Sequence, residues 1–172
     1  MKNEKNSKVL TQHGALPYRR TQDGEVEVML VTSRETRRWV IPKGWPIKKL
    51  KPFATAAREA YEEAGLGGAI SRESLGSFTY QKRLKTRKYV ACEVDVYAME
   101  VSKEAKRWPE RDERERRWFE PEVAARHVTE PELADIILQL PRRLASGMMQ
   151  SGRQLSGNWN LSQPASGQKR SK

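Results

Sequence analysis

The chain contains a single cysteine, Cys92, among its 172 residues. One thiol cannot build an intrachain disulfide framework, and it leaves no basis for a cysteine-ligated zinc site. Cys92 stands in an apolar run and is expected to be a small core residue. Only two histidines occur, His13 and His127. They are isolated from each other and are assigned no role. No apolar stretch approaches the roughly 20 residues that a membrane-spanning helix needs. The first residues are rich in Lys and Asn and lack the apolar segment of a secretory signal. These absences lead us to expect a soluble, cytoplasmic protein without a membrane partner.

Of what is present, the 37% of hydrophobic residues is enough for one compact domain with a core. The formal charge is +11, and its distribution matters. Residues 151–172 hold Arg153, Lys169, Arg170 and Lys172 without an acid, and Lys2, Lys5 and Lys8 outweigh Glu4 at the start. About half of the excess therefore lies at the ends, so the rest of the chain is only moderately basic. Such a domain attracts polyanions, whether nucleotides, polyphosphates or nucleic acid. Gly, Ser and Gln dominate from Ser146 onward. The expected organisation is a flexible N-terminus at 1–8, one domain at 9–145 and a disordered basic tail at 146–172. The tail could add weak, salt-sensitive contact with nucleic acid.

Val9 to Tyr18 reads as a first strand, followed by an Asp23-Gly24 turn. Val26 to Thr32 is apolar at successive positions, which marks a strand buried on both faces. Trp39-Val40-Ile41 is a short apolar piece stopped by Pro42-Lys43-Gly44. Phe53, Ala56, Ala57, Ala60 and Ala64 form a helical stripe, with Gly65 as a stop. Ser74 to Tyr80 and Tyr89 to Val101 read as strands around the basic stretch Gln81–Lys88. Trp118-Phe119 reads as a short strand, and 120–127 and 130–144 as helices. Strands, one helix, more strands and then helices suit an α/β fold with a mixed sheet.

Glu59, Glu62 and Glu63, at i, i+3 and i+4, project from one helix face. Like charges so spaced cost a bare helix about 0.2–0.5 kcal/mol per pair. A divalent cation would reverse that cost: Mg²⁺ takes one or two carboxylates, waters and phosphate oxygens. A carboxylate left free of metal could take a proton from water. Alone, three acids on a helix face are usually a solvated surface.

The longer pattern decides otherwise. Gly44 is followed after thirteen residues by Arg58-Glu59-Ala60-Tyr61-Glu62-Glu63-Ala64-Gly65-Leu66. This resembles the Nudix box and matches eight of its nine defined positions, with Ala60 counted as apolar. The resemblance implies a Nudix-type α/β/α sandwich around a mixed sheet and a pyrophosphohydrolase using Mg²⁺ or Mn²⁺. It implies Glu59 and Glu63 as metal ligands, Glu62 as a third ligand or the general base, and the Gly44 carbonyl as a further metal contact. Arg58 would orient the glutamates. Leu50 stands where the box has a glutamate that braces the arginine, which puts that bracing of Arg58 in doubt.

Leu-Val-Thr-Ser-Arg at 30–34 and Arg-Trp-Val-Ile-Pro-Lys-Gly at 38–44 are similar to the diphosphoinositol polyphosphate phosphohydrolase branch. That similarity implies a small-molecule polyphosphate substrate and, by position, substrate contacts at Thr32, Arg34, Arg83 and Arg114. Lys43 and Lys48 could also neutralise phosphates. A basic residue of that branch, just before a late proline, matches Glu130 here. A fourth carboxylate near the metal is sought among Glu110, Glu113, Glu115 and Glu120, with Glu113 the favourite. Trp108 or Tyr80 could stack on a base, although aromatics at strand ends are more often core. The leading expectation is hydrolysis of diphosphoinositol or diadenosine polyphosphates. Other Nudix substrates are ADP-ribose, NADH, nucleoside triphosphates and RNA 5′ ends. A non-catalytic sensor of ligand or nucleic acid is the reading from a different class.

Overall fold

The computed structural model describes residues 8–147. The flexible segment expected at 1–8, apart from Lys8, and the basic tail beyond Gly147 lie outside the described residues. The elements run β1 (Leu10–Arg20), β2 (Val26–Thr32), β3 (Trp39–Val40), β4 (Lys43–Gly44), α1 (Pro52–Ala64), β5 (Leu66–Ile70), β6 (Gly76–Arg83), β7 (Tyr89–Glu104), β8 (Arg116–Phe119), α2 (Pro121–His127) and α3 (Pro131–Ala145).

β1 is the axis of the sheet. It pairs antiparallel with β2 and parallel with β7, in register from Leu10–Cys92 to Tyr18–Glu100. β7 also carries β5 and β6, both antiparallel, while β2 carries β3 and β8. The sheet is therefore mixed, as expected. Period-2 alternation sends Leu16, Val28 and Leu30 to one face, where they meet Leu133, Ile137 and Leu140 of α3. Ala15, Met29 and Val31 go to the other face, against Ala56, Ala60 and Ala64 of α1. Both faces are covered, which explains why Val28–Val31 is apolar at every position. The result is an α/β/α sandwich. Ile137 and Leu140 are fully buried, each stabilising the fold by about 1.5–3 kcal/mol. Cys92 is buried as expected, and burial pushes its thiol pKa up.

Two strands escaped the sequence reading. β4 has only two residues, and it pairs with His13 and Gly14 of β1. β5 contains Gly67 and Gly68 at a register shift, and a Cβ on Gly68 would fall 1.9 Å from the Glu100 carbonyl oxygen. Glycine is poor in strands but fits where backbones crowd. β6 also runs three residues further than expected, to Arg83.

Candidate active site

α1 starts at Pro52, whose missing N–H costs nothing in the first turn. It stops at Gly65, which takes a left-handed φ of 67°. Its last carbonyls are met by the charged segment that follows β7. The Glu110 N–H donates to the Glu62 carbonyl at 3.0 Å, the Trp108 indole N–H to that of Glu63 at 3.2 Å, and Arg116 Nη1 to that of Ala64 at 2.6 Å. The segment thus closes the end of the helix and brings Glu110 and Arg114 beside its acids. Trp108 spends its donor here and packs on Gly65 and Arg116, so stacking on a base is not its role.

Glu59 leans against β4. A Cβ on Gly44 would lie 2.3 Å from the Glu59 carboxylate, so only glycine lets the acid approach the backbone at this point. Glu63 is buried and receives a hydrogen bond from Arg114 Nη2 at 3.2 Å. The same nitrogen donates to Glu110 Oε1 at 3.1 Å, while Arg114 Nη1 donates to the Thr32 carbonyl at 3.1 Å. As the side chains stand, no three acidic, His or Cys groups converge on one point among the described residues; Glu63 and Glu110 instead share the guanidinium. Arg58 Nε donates to Glu62 Oε1 at 3.0 Å. Leu50, half-buried, offers Arg58 no polar contact, and Glu62 is the arginine's partner instead.

Crowding shows in the acidities. The pKa of Glu59 is pushed up to about 7 by burial and then by the charges of Glu62 and Glu110, against Arg114 and Arg58. Glu63 is also pushed up to about 7, mainly by burial, with Arg114 and Lys43 opposing. Lys43 is lowered by burial, although the charge of Glu63 opposes the shift. Glu59, Glu63 and Glu110 are hard oxygen donors, the last two with one shared cation between them, and Gly44 lets Glu59 lie against the backbone of β4. That donor set fits Mg²⁺ or Mn²⁺. The folded pKa of both acids exceeds the ordinary carboxylate value of 4.5. Their contribution to the stability of the metal-free protein is therefore fully present below about 4.5 and is lost as pH rises through about 7. Metal uptake needs the ionised forms, so Mn²⁺ affinity measured by titration should rise at least ~10-fold from pH 5.5 to 8. A flat profile would show that these acids do not hold the ion.

The acids open on a cleft of about 1100 Å³. Of the residues singled out above, Gly44, Glu59, Glu62, Glu63, Arg34, Lys43, Arg83 and Arg114 line it. Thr32 does not: it is buried, and its hydroxyl accepts the Glu115 N–H at 2.9 Å, which makes it a brace rather than a substrate contact. Lys48 is exposed and lies outside the cleft lining. Arg114 lines the cleft, but its nitrogens are committed to Glu63, Glu110 and Thr32. Among the four acids that could add a ligand, Glu110 lines the cleft and Glu113 does not; Glu113 is half exposed and faces Arg34 at 3.7 Å. Arg38, Tyr80, Lys82 and Glu130 also reach the cleft, and the sequence reading proposed none of them as phosphate contacts. Lys82 was legible in the basic stretch, since alternation along β6 turns it with Tyr80 to one face.

A family model described as the NUDIX domain matches residues 12–140. Nudix hydrolase 13, mitochondrial, of Arabidopsis thaliana is 30% identical over 119 residues, covering 60% of this chain and 59% of that protein. Diphosphoinositol polyphosphate phosphohydrolase 2 of Rattus norvegicus is 41% identical over 75 residues, 44% of this chain and 40% of that one. The chain thus spans about 60% or less of the length of these curated relatives. A crystal structure of a C. elegans Ap4A hydrolase binary complex shares the fold, with a TM-score of 0.60 at 21% identity, covering 80% of this chain and 99% of that one.

Proposed function

Because the chain belongs to the NUDIX domain family, we propose that it is a metal-dependent pyrophosphohydrolase. It would cleave a phosphoanhydride in a polyphosphorylated small molecule, such as a diphosphoinositol or diadenosine polyphosphate. The observation that carries this reading is the grouping of Glu59, Glu62, Glu63 and Glu110 in one cleft with Arg34, Lys43, Lys82 and Arg83. Glu59, Glu63 and the Gly44 carbonyl would hold Mg²⁺ or Mn²⁺. When bound, the ion supplies charge neutralisation on the diphosphate and a more acidic water. Glu62 is less buried than Glu63 and is oriented by Arg58, and would accept the proton of the attacking water. Arg34 and Arg83 would hold outlying phosphates through paired N–H donors.

The names of the relatives motivate the substrate classes, and the cations around the cleft support a substrate with several phosphates. The working domain at 9–145, a cytoplasmic location and weak nucleic-acid contact by the tail belong to the same proposal. Among the described residues no helix is long and apolar enough to cross a membrane.

The test is a phosphate-release and chromatography screen with Mg²⁺ and Mn²⁺. It runs over diphosphoinositol and diadenosine polyphosphates, ADP-ribose, NADH, nucleoside triphosphates and RNA 5′ ends. Binding without turnover on all of them would replace the enzyme with a sensor. Arg34→Ala and Arg83→Ala should each raise KM for the most phosphorylated substrate about 5- to 50-fold, with a small change in kcat. An equal rise on a substrate with a single diphosphate would remove the polyphosphate preference.

A further inference from the structure

Glu130 stands at the joint between α2 and α3 and lines the same cleft. It is only 8% exposed. Its Oε1 accepts a hydrogen bond from Arg38 Nη1 at 3.0 Å, and the same nitrogen donates to the Thr129 hydroxyl. Its Oε2 is buried and has no hydrogen-bond partner among the described residues. A carboxylate oxygen out of water without a donor is costly, because desolvation is not repaid.

The protein does not supply the missing donor. Lys43 feels the charges of both Glu130 and Glu63, and its ammonium lies 5.0 Å over the Tyr80 ring. The Tyr80 hydroxyl donates to Gln12 Oε1 at 2.6 Å. Neither Lys43 nor Tyr80 donates to Glu130 Oε2, so one buried acceptor on the cleft wall is left open. A phosphate brought here would meet a half-paired carboxylate and be repelled. An uncharged group carrying O–H or N–H would complete Glu130, provided that Arg38, about one third exposed, shifts to admit it.

We propose that Glu130 determines specificity by receiving the nucleoside part of the substrate, through its ribose diol or base amino group, and by turning a phosphate away from that end. The proposal rests on the hydrolase reading of the cleft and narrows it: a nucleoside-bearing polyphosphate is preferred to a ring that carries phosphates on every side.

Glu130→Gln keeps an oxygen for Arg38 and replaces the unpaired oxygen with a donor. With a diadenosine polyphosphate, its KM should rise at least ~10-fold while kcat stays within ~3-fold of wild type. KM for a diphosphoinositol polyphosphate should stay the same or fall. Calorimetry without metal adds a reading that needs no turnover. Wild type should bind AMP at least ~5-fold more tightly than inorganic phosphate, and Glu130→Gln should abolish that margin. Loss with ribose 5-phosphate as well assigns the contact to the ribose, and loss with AMP alone assigns it to the base. Equal changes on both substrates, no change on either, or no AMP margin in wild type would overturn the proposal. The AMP margin in wild type tests it even if the variant fails to fold. No turnover of any substrate, with the AMP margin still dependent on Glu130, would remove the hydrolase reading and leave this contact standing.

Discussion

Glu63→Gln should lower turnover at least ~100-fold at saturating Mg²⁺, the scale of losing a metal ligand or a general base. Glutamine has the same shape, and its amide oxygen can still accept the bond from Arg114 at this buried position. The packing should therefore survive while the charge is lost, and the unfolding midpoint should move little. Glu62→Gln should match it in kcat for a different reason. Glu62 is the less buried acid, held by Arg58 at 3.0 Å, and its substitution would remove the proposed proton acceptor. The two variants separate in metal titration, where Glu63→Gln should weaken Mn²⁺ binding more strongly. Unchanged rates in both would sink the mechanism.

Arg114→Met should destabilise the fold more than any of the glutamate or arginine substitutions above. The guanidinium is 9% exposed and sits between Glu63 at 3.2 Å and Glu110 at 3.1 Å. Methionine fills much of the volume but leaves two crowded carboxylates without their shared cation. Removing one partner of a buried ionic cluster costs about 3–5 kcal/mol. In a chelating buffer the melting temperature should fall by roughly 10 °C for a domain of this size. Added Mn²⁺ should restore part of the loss and raise the midpoint more in the variant than in wild type, because the ion takes over the same oxygens. Equal stability of the two proteins in chelator would show that Arg114 is not their counter-ion.

Much of this site was legible because its information is local. The alanine stripe and the three glutamates follow from helical period alone, and the Gly44-to-Leu66 spacing marks their setting. Val26–Thr32 could be read because both of its faces are covered. Glu110 could not be distinguished from Glu113, because its place depends on a backbone bond to Glu62, 48 positions earlier in the chain. Thr32 departs from its expected role as a substrate contact for the same kind of reason. Its strand turns it inward, where its hydroxyl accepts the Glu115 N–H. Lys48 belongs to a loop whose direction no periodicity sets. Glu130 stands out in the sequence only as a mismatch of sign, and its half-paired carboxylate emerges once Arg38, just before β3, is brought across to it.

The parallel pairing of β1 with β7 has a consequence for biosynthesis. β1 precedes every other described strand and is the axis of the sheet, yet the neighbour that completes it ends at Glu104. While a ribosome extends the chain, Leu10–Arg20 can zip only to β2 and β4, and its other edge stays open until β7 is made, ending at Glu104. An unpaired edge of that kind invites pairing with other chains. Demand for chaperones should therefore peak in nascent chains stalled before Tyr89 and drop once β7 has left the exit tunnel.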